Sequence, residues 1–453
     1  MVFSSLNFLF VFLPVVLLLY YIRYDITWRN VILLLASIVF YAWGEPVYVI
    51  LMMLSIGFNY LIGRDLAENG RKKITLVLGV IVNLLLLGYF KYSGFVVDTI
   101  NSLTGLSLTN RELPLPIGIS FYTFQALSYL IDVYRRKCEP QKSFLSFAVY
   151  ISMFPQLIAG PIVKYEDVEK QLTLRRFSGV DFGDGVRIFV KGLAKKVILA
   201  NGLGALYEEI TAIQNPAAFT AWIGVIAFAL QLFNDFSGYS DMAIGLGKML
   251  GFTFPKNFDR PFSATSVGDF WRKWHISLGS WFREYVYIPL GGNRKGAARQ
   301  ILNLAIVWAL TGLWHGASWN FVLWGVYCGT WIILERFVFA RLLKIIPGFV
   351  KWFFTSVIML LGWVLFFSNS IGEIAFHMKN LFGAGGSIAD GATLNYLLSN
   401  GAMMIIGFLT AVIAEDEQRK YMPLKWILTV SLFVMSVAFL VSDSYNPFLY
   451  FRF

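Results

Sequence analysis

The chemistry-bearing residues of this chain are few, and the most prominent is a histidine in an apolar, tryptophan-rich stretch. His315 lies in LTGLWHGASWNFVLWG (310–325), and the 453 residues contain only three histidines. Imidazole takes up and returns a proton near neutral pH, as a general base must. An ionisable group inside a membrane is costly and tends to face a cavity or a proton pathway. We therefore predict that His315 is catalytic, the alternative being a packed histidine bonded to a backbone carbonyl.

A second histidine, His275, lies in DFWRKWHISLGSWFREYVYIPLGGNRKG (269–296). On one continuous helix, four apolar side chains would share a face, with the basic residues elsewhere; these four are Trp271, Trp274, Leu278 and Trp281. The pattern predicts an amphipathic helix at the cytoplasmic membrane interface, where it could serve only as an anchor. Arg294 and Lys295, in the following turn, could pair with phosphates, although contact with lipid head groups is the commoner explanation.

Two acidic residues, Asp235 and Asp241, are unusual in the apolar, Gly- and Ser-rich stretch FNDFSGYSDMAIGLGKMLGF (233–252). They could orient a histidine or bind a polar substrate, and they could equally cap helices at the interface. The third histidine, His377, is near a polar loop and is expected to be exposed. The histidines and the two cysteines have no metal-ligand spacing, so no metal site is predicted.

The composition predicts the kind of scaffold that must position these groups. The chain is 57% hydrophobic and 14% charged, with a mean hydropathy of +0.63, whereas a soluble domain carries roughly 25% charged residues. Apolar runs such as 7–22 and 74–90 approach the ~20 residues that cross a bilayer. We predict an all-α, polytopic transmembrane protein with residues 1–453 in one integral domain. The net charge of +11 fits cytoplasmic loops beside membrane lipid, and no nucleic acid partner is expected.

The distribution of Lys and Arg orients the chain. The basic loops, including the long basic segment at about 237–300, are assigned to the cytoplasm, which places both termini outside. Residues 143–163 look like a span but have basic loops at both ends, and Pro155 and Gly160-Pro161 interrupt the helix pattern. A re-entrant hairpin is therefore predicted there, since broken backbone at membrane depth must be buried in protein or line a cavity.

The same reasoning places His315 at a helix break. A helix over 301–314 would rise only about 21 Å at 1.5 Å per residue, short of a bilayer core of roughly 30 Å. A second apolar run, 319–335, then returns to a basic stretch. His315 is expected inside the membrane, where Gly312, Gly316 and Ala317 would leave room for a substrate.

Several of these stretches together resemble the membrane-bound O-acyltransferase family. The resemblance rests on FWRKWHISLGSWFREYVYIPLGGNRKG and TGLWHGASWNFVLWG, with further matches in FPQLIAGPIVKYED (154–167), NFDRPF (257–262) and the terminal NPFLYFRF. Within the family the chain is most similar to the bacterial alginate O-acetyltransferase branch. The branch that transfers D-alanine from a carrier-protein thioester to teichoic acid is the alternative.

The resemblance implies about 9–12 spanning or re-entrant helices around a central funnel or tunnel, with His315 and His275 as the catalytic pair. We expect the acyl donor to bind near Trp271, Arg272, Lys273, Arg294 and Lys295. The residues expected to line the acceptor side or the tunnel are Asp235, Ser237, Asp241, Trp314, Ser318 and Asn320.

The implied reaction moves an acetyl group from a cytoplasmic thioester to hydroxyls of an exported polysaccharide or to a partner protein. Acetyl-CoA is the expected donor, no bound cofactor is expected, and the expected partner is an extracytoplasmic SGNH-type acetyltransferase or esterase. The expected location is the cytoplasmic membrane of a bacterium. Two other classes stay open: a proton-coupled transporter that uses His315 and the acidic residues, and a structural subunit of a secretion complex.

Overall fold

Every regular element of the chain that the structure describes is a helix. The structure is a computed structural model, which describes residues 1–68, 72–110, 113–384, 386–414 and 422–442. The prediction of an all-α protein is therefore confirmed. The terminal match NPFLYFRF (446–453) lies outside the described residues.

The chain divides into two compact units, of which the first comprises Met1–Val190 and Tyr239–Pro255. Its helices begin after a π-helical turn, Phe8–Phe12. They are α1 (Leu13–Tyr21), α2 (Ile26–Ala42), α3 (Tyr48–Glu68), α4 (Lys73–Thr104), α5 (Ile119–Tyr134), α6 (Phe144–Ser152), α7 (Phe154–Leu157), α8 (Tyr165–Thr173) and α9 (Gly179–Ala194), the last of which crosses the unit boundary.

Buried polar side chains join the helices of the first unit. Arg175, after α8, donates through Nε to the Tyr20 hydroxyl at 2.9 Å and through Nη2 to Asn30 Oδ1 at 2.6 Å. Its third nitrogen, Nη1, donates to the carbonyl of Gln171 at 2.7 Å. All three guanidinium nitrogens thus donate hydrogen bonds, which offsets the cost of burying the charge.

The interruption predicted within 143–163 is confirmed. Helix α6 ends at Ser152 because Met153 is extended, with ψ 115°. One turn, α7, contains Pro155, and the chain then runs without helix to Lys164. Residues 146–163 are all buried, as broken backbone at membrane depth requires. The re-entrant path of this segment stays a prediction.

The second unit comprises Lys191–Gly238 and the described residues of Lys256–Phe453. It begins with a π-helical turn, Lys195–Ala200. Its helices are α10 (Asn201–Thr211), α11 (Ala218–Met249, which contains the unit boundary at Gly238), α12 (Val267–Lys273), α13 (Ile276–Phe282), α14 (Gly296–His315), α15 (Trp319–Phe337), α16 (Leu342–Ile345), α17 (Gly348–Phe367), α18 (Ile371–Leu381), α19 (Gly391–Val412) and α20 (Met422–Ser442).

Seven helices among the described residues are long and apolar enough to cross a membrane, namely α3, α4, α11, α14, α17, α19 and α20. Two shorter apolar helical stretches, Phe8–Tyr21 and Ile26–Ala42, add to them. The chain is therefore a multi-pass membrane protein, as predicted. The central funnel stays a prediction.

One expectation about the scaffold was wrong. Helix α14 begins at Gly296, not at 301, and has 20 residues, which at 1.5 Å per residue gives about 30 Å. The helix is therefore as long as a bilayer core is thick. Its length gives no reason to place His315 at partial depth.

Candidate functional site

His315 is the last residue of α14, at the predicted helix break. The chain is extended at Gly316, with φ −167°, and α15 begins at Trp319. The imidazole is only 7% exposed. Its ring centroid lies 4.9 Å from that of Trp324 and 5.5 Å from that of Phe366. An aromatic wall thus surrounds this imidazole, on two helices besides its own.

The glycines beside His315 serve helix packing, which corrects the expectation that they leave room for a substrate. A Cβ on Gly312 would lie 2.4 Å from the carbonyl oxygen of Phe321, and one on Gly325 would lie 2.4 Å from that of Trp308. A Cβ on Gly316 would meet the Phe321 ring at 2.1 Å. Because small residues let helix backbones approach closely, these glycines bring α14 against α15 and fix the position of His315.

His275 lies at a break between α12 and α13, which corrects the prediction of one continuous helix. Its φ is 45°, in the left-handed region, so the chain turns between Lys273 and Ile276. A non-glycine residue in this region is strained unless its surroundings hold it. The four aromatic and aliphatic side chains predicted to share a face still point inward or are half-buried: Trp271, Trp274, Leu278 and Trp281.

Asn257, in the extended segment before α12, holds this strained turn. Its backbone carbonyl accepts from the amide of Ile276 at 2.9 Å. Its side-chain Oδ1 accepts from the backbone amide and the hydroxyl of Ser277 at 3.3 and 2.8 Å. The same Oδ1 lies 3.1 Å from Nδ1 of His275. One residue therefore fixes both the backbone and the imidazole.

These contacts assign the tautomer of His275. A backbone amide can only donate, so the atom of Asn257 that faces Ser277 is the carbonyl oxygen, and this oxygen can only accept. Nδ1 of His275 must then carry the proton. Burial lowers the pKa of His275 to about 3, in a segment outside the seven candidate spans. The neutral ring presents the lone pair of Nε2, which is buried and makes no hydrogen bond to the described residues.

Both histidine rings pack against the same indole, that of Trp314. The ring centroid of Trp314 lies 5.7 Å from that of His275 and 5.1 Å from that of His315. On its other side, His275 packs edge-on against Phe236 at 4.8 Å. We call His275, Trp314 and His315 the histidine centre. The sequence separates its two imidazoles by 40 residues, and the structure brings both into contact with Trp314.

The residues expected to bind the donor divide into two groups. Trp271 packs against Trp324 at 5.5 Å, and Trp324 in turn contacts His315. Arg272 is 72% exposed in its side chain and pairs with Asp269 at 3.2 Å, and Lys273 pairs with the same carboxylate at 2.9 Å. The charged groups of Arg272 and Lys273 are thus at least partly exposed, and they follow Trp271 directly in the chain. The basic turn residues Arg294 and Lys295 are exposed.

The residues expected to line the acceptor side are not all together. The carboxylate of Asp235 forms a buried ion pair with Lys196 at 2.7 Å, one residue before Phe236. Ser237 lies 3.5 Å from Nζ of Lys195. The side chains of Ser318 and Asn320 are hydrogen-bonded to each other just after the helix break. Asp241 belongs to the first unit, and its place on the acceptor side stays a prediction.

His377, expected to be exposed, is half-buried and lines a pocket within the second unit that is partly open to solvent. Its imidazole packs against Phe367 at 5.0 Å. Tyr207 and Asn380 also line this pocket. Phe367 follows Phe366, the residue that packs against His315, so the two histidine sites face consecutive residues at the end of α17.

Sequence reasoning missed several residues that build the histidine centre. Asn257 was noticed only as part of NFDRPF, and Phe366 and Trp363 were not singled out. Asn257 precedes His275 by 18 residues in an irregular segment, and no periodicity connects the two. Trp324 lies in the same quoted stretch as His315 (310–325), but the sequence predicts no role for it.

Comparisons with known proteins identify the family of the chain. The sequence model described as "MBOAT, membrane-bound O-acyltransferase family" matches residues 140–371. The chain is 40% identical to "Probable alginate O-acetylase AlgI" of Pseudomonas putida, with 100% of both chains covered. It is 31% identical to a "Peptidoglycan O-acetyltransferase" of Helicobacter pylori, over 100% of this chain and 98% of that protein.

A more distant similarity concerns the alternative branch. The chain is 26% identical to a "Teichoic acid D-alanyltransferase" of Bacillus subtilis, but the match covers only 47% of this chain and 56% of that protein. The full-length similarities are thus to proteins named for O-acetyl transfer.

Proposed function

The chain belongs to the membrane-bound O-acyltransferase family and is a multi-pass membrane O-acyltransferase, and we propose that it transfers an acetyl group to hydroxyls of an exported polysaccharide at the histidine centre. The single observation that carries the proposal is that two buried imidazoles pack against the same indole, that of Trp314. Paired imidazoles can serve the two substrates of a transfer reaction, one as base and one as orienting group.

In the proposed reaction His315 acts on the acceptor. Its imidazole takes the proton of an acceptor hydroxyl while the hydroxyl oxygen attacks the thioester carbonyl carbon. The carbon–sulfur bond then breaks, and the leaving thiolate takes the proton back from the imidazolium. The products are an acetyl ester and a free thiol, and His315 returns to its starting state. The aromatic wall around His315 excludes water, which would otherwise compete with the acceptor.

His275 orients the donor in this proposal. Because Nδ1 donates to Asn257, Nε2 can only accept a hydrogen bond. It therefore suits an N–H group of the donor and cannot polarise the thioester carbonyl by donation.

The proposed donor is acetyl-CoA, with the phosphates of CoA near the exposed basic groups. Arg272 is exposed and follows Trp271, which is joined to His315 through Trp324. Arg and Lys side chains pair well with phosphates, and Lys273, Arg294 and Lys295 add positive charge along the same segment. We propose that CoA binds without any resident cofactor or metal.

The proposed acceptor is an exported polysaccharide, reached directly or through an extracytoplasmic SGNH-type partner, at the cytoplasmic membrane of a bacterium. Support comes from the two relatives matched over their whole length, which are named for alginate and peptidoglycan. Ser318 and Asn320, next to His315, are the proposed acceptor-side contacts. Asp235 and Ser237 flank Phe236 in α11, which packs against His275, and the acceptor-side role of Asp241 rests on the sequence alone.

The experiment that tests the proposal is His315→Ala in a cell that makes an acetylated polymer. We expect polymer acetylation to fall by at least 100-fold, since a general base contributes about 10²–10⁴-fold. The matched control is His377→Ala, which removes the histidine outside the centre and should leave acetylation unchanged. Membrane insertion of both variants is checked by immunoblot. Normal acetylation in a well-inserted His315→Ala strain would refute the proposal.

A further inference from the structure

Three tryptophans beside the histidine centre have buried indole N–H groups that make no hydrogen bond to the described residues: Trp271, Trp324 and Trp363. Trp324 and Trp363 are each only 1% exposed. The three rings form one cluster, with Trp324 at 5.5 Å from Trp271 and 6.2 Å from Trp363. Trp271 and Trp363 are 6.3 Å apart, and Trp324 contacts the His315 ring at 4.9 Å.

A buried indole N–H without a partner is costly for a tryptophan that only fills the core. A buried donor without a partner costs roughly 1–3 kcal/mol, and buried tryptophan N–H groups usually find an acceptor. Phenylalanine would fill much of the same space without that cost. An unpaired buried donor in a native protein therefore calls for an explanation, such as a role in binding or catalysis.

Two other tryptophans of the same unit donate their indole N–H to a backbone carbonyl. The N–H of Trp352 donates to the carbonyl of Phe262 at 2.8 Å, and that of Trp222 donates to the carbonyl of Leu381 at 3.1 Å. Unpaired indoles are thus not a general feature of this unit. The three in question are neighbours, and they adjoin the residue proposed to carry the reaction.

We propose that the indole N–H groups of Trp271, Trp324 and Trp363 form a binding site for carbonyl oxygens of the acyl donor. The inference rests on the proposed function, because it takes the donor to be a thioester. The donor arm of CoA offers two chemically similar acceptors, the thioester carbonyl and the amide carbonyls. A neutral N–H donor suits a neutral carbonyl, whereas phosphates are typically bound by Arg and Lys.

The chemistry of the centre fits this assignment. His275 Nε2 offers the acceptor for an N–H of the donor, and the indoles offer the donors for its C=O groups. An indole that faces the thioester carbonyl would also stabilise the negative charge that develops on that oxygen during attack. In a site without water, such a hydrogen bond is stronger than in solution.

The test measures binding of acetyl-CoA and of S-ethyl-CoA to the purified full-length protein in detergent, by calorimetry. S-ethyl-CoA keeps the amide carbonyls of the arm but lacks the thioester carbonyl. The variants are Trp324→Phe, Trp363→Phe and Trp271→Phe, which keep an aromatic ring and remove the N–H. We expect at least one variant to weaken acetyl-CoA binding by about fivefold to tenfold, the loss for one hydrogen bond of ~1 kcal/mol or slightly more.

The two probes identify the carbonyl. Weaker binding of acetyl-CoA alone would assign the indole to the thioester carbonyl, and equal weakening of both probes would assign it to an amide carbonyl of the arm. Unchanged binding of both probes in all three variants would overturn the inference while leaving the role of His315 intact. If the wild type binds neither probe, the proposed donor fails and the inference fails with it.

A structural role is separated by thermal stability and by a control. Because the removed donors are unpaired, the melting temperatures of the three variants should stay equal or rise. Trp352→Phe removes a paired N–H, so it should lower the melting temperature and leave both dissociation constants unchanged. Variants that lose stability but keep wild-type binding would show that the indoles serve only the fold, which would overturn the inference.

Discussion

The buried side chain of Arg175 in the first unit and the histidine centre in the second treat their hydrogen-bonding groups in opposite ways. Around Arg175, in the first unit, all three guanidinium nitrogens donate to protein atoms. Around the histidine centre, in the second unit, Nε2 of His275 and three indole N–H groups make no hydrogen bond to the described residues. Both centres are buried among aromatic rings, so burial alone does not distinguish them.

A buried polar group can be assigned a structural or a functional role from the source of its hydrogen-bond partners. A group whose partners all belong to the protein stabilises the fold, because those partners replace the lost water. A group that is buried without such a partner costs stability, and a substrate can supply the missing hydrogen bond. By this criterion Arg175 is structural, and the histidine centre is the proposed site of chemistry.

The largest expected effect on the fold comes from the fully paired centre. Arg175→Leu leaves Asn30 Oδ1 and the Tyr20 hydroxyl without their donor, at a cost of roughly 1–3 kcal/mol for each group. We expect a clear loss of melting temperature and of membrane-inserted protein, with normal activity per folded molecule. The neighbouring exposed Arg176→Leu is the control and should behave like the wild type. Lost turnover in well-folded Arg175→Leu protein would place Arg175 in the chemistry and break the comparison.

A second prediction concerns the packing that positions His315. In Gly312→Ala the new Cβ would meet the carbonyl of Phe321 at 2.4 Å, so α14 and α15 must separate. Overpacking of this kind costs about 1–3 kcal/mol, and we expect transferase activity to fall with it. Gly401→Ala is the matched control, since nothing lies within 4 Å of its Cβ. A stable but inactive Gly312→Ala enzyme would return this glycine to the role of substrate clearance, and a stable, fully active one would contradict the packing role.

A third prediction tests Asn257 as the positioning residue for His275. Asn257→Leu removes the acceptor for Nδ1, and we expect kcat to fall about 10- to 100-fold, as for partners that orient reactive histidines. Asn257→Asp keeps an acceptor but adds negative charge, which raises the pKa of His275. This variant should recover activity at high pH and lose it as the pH falls. Identical pH profiles for the wild type and Asn257→Asp would contradict the assigned tautomer.

The smallest expected effect near neutral pH is the pH dependence of wild-type stability. Burial lowers the pKa of His275 to about 3, whereas the unfolded chain has the usual value near 6.5. Between these values the unfolded state binds one more proton than the folded state. Stability therefore falls as the pH drops from about 6.5 towards 3, by at most ~1.4 kcal/mol per pH unit. In His275→Gln this contribution disappears, which thermal melts across this range would detect.

The sequence was sufficient for the scaffold and for half of the centre. Long apolar runs predict helices of the right kind, because the bilayer requires them. The break after His315 was visible because Gly316 and Ser318 separate two apolar runs. The predicted start of α14 was wrong, because Arg299 was taken as the end of a basic loop. It lies in the helix that begins at Gly296.

The rest could not be predicted because it depends on distant contacts. No glycine or proline marks the turn at His275, and its left-handed conformation is held by Asn257. The tryptophan cluster combines residues from three helices, so Trp363 has no local signal that connects it to Trp271. From the sequence alone, the glycines near His315 could either leave space for a substrate or let two helices pack closely. The position of α15 decides between the two.

The most direct test of the central claim uses purified protein in lipid nanodiscs with acetyl-CoA labelled in the acetyl group and a soluble polysaccharide acceptor. The wild type should transfer label to the acceptor and release CoA thiol. His315→Gln should bind acetyl-CoA with an unchanged dissociation constant and release thiol at least 100-fold more slowly, the range expected for loss of a general base. Acceptor-dependent release of thiol at the wild-type rate by His315→Gln would contradict the account.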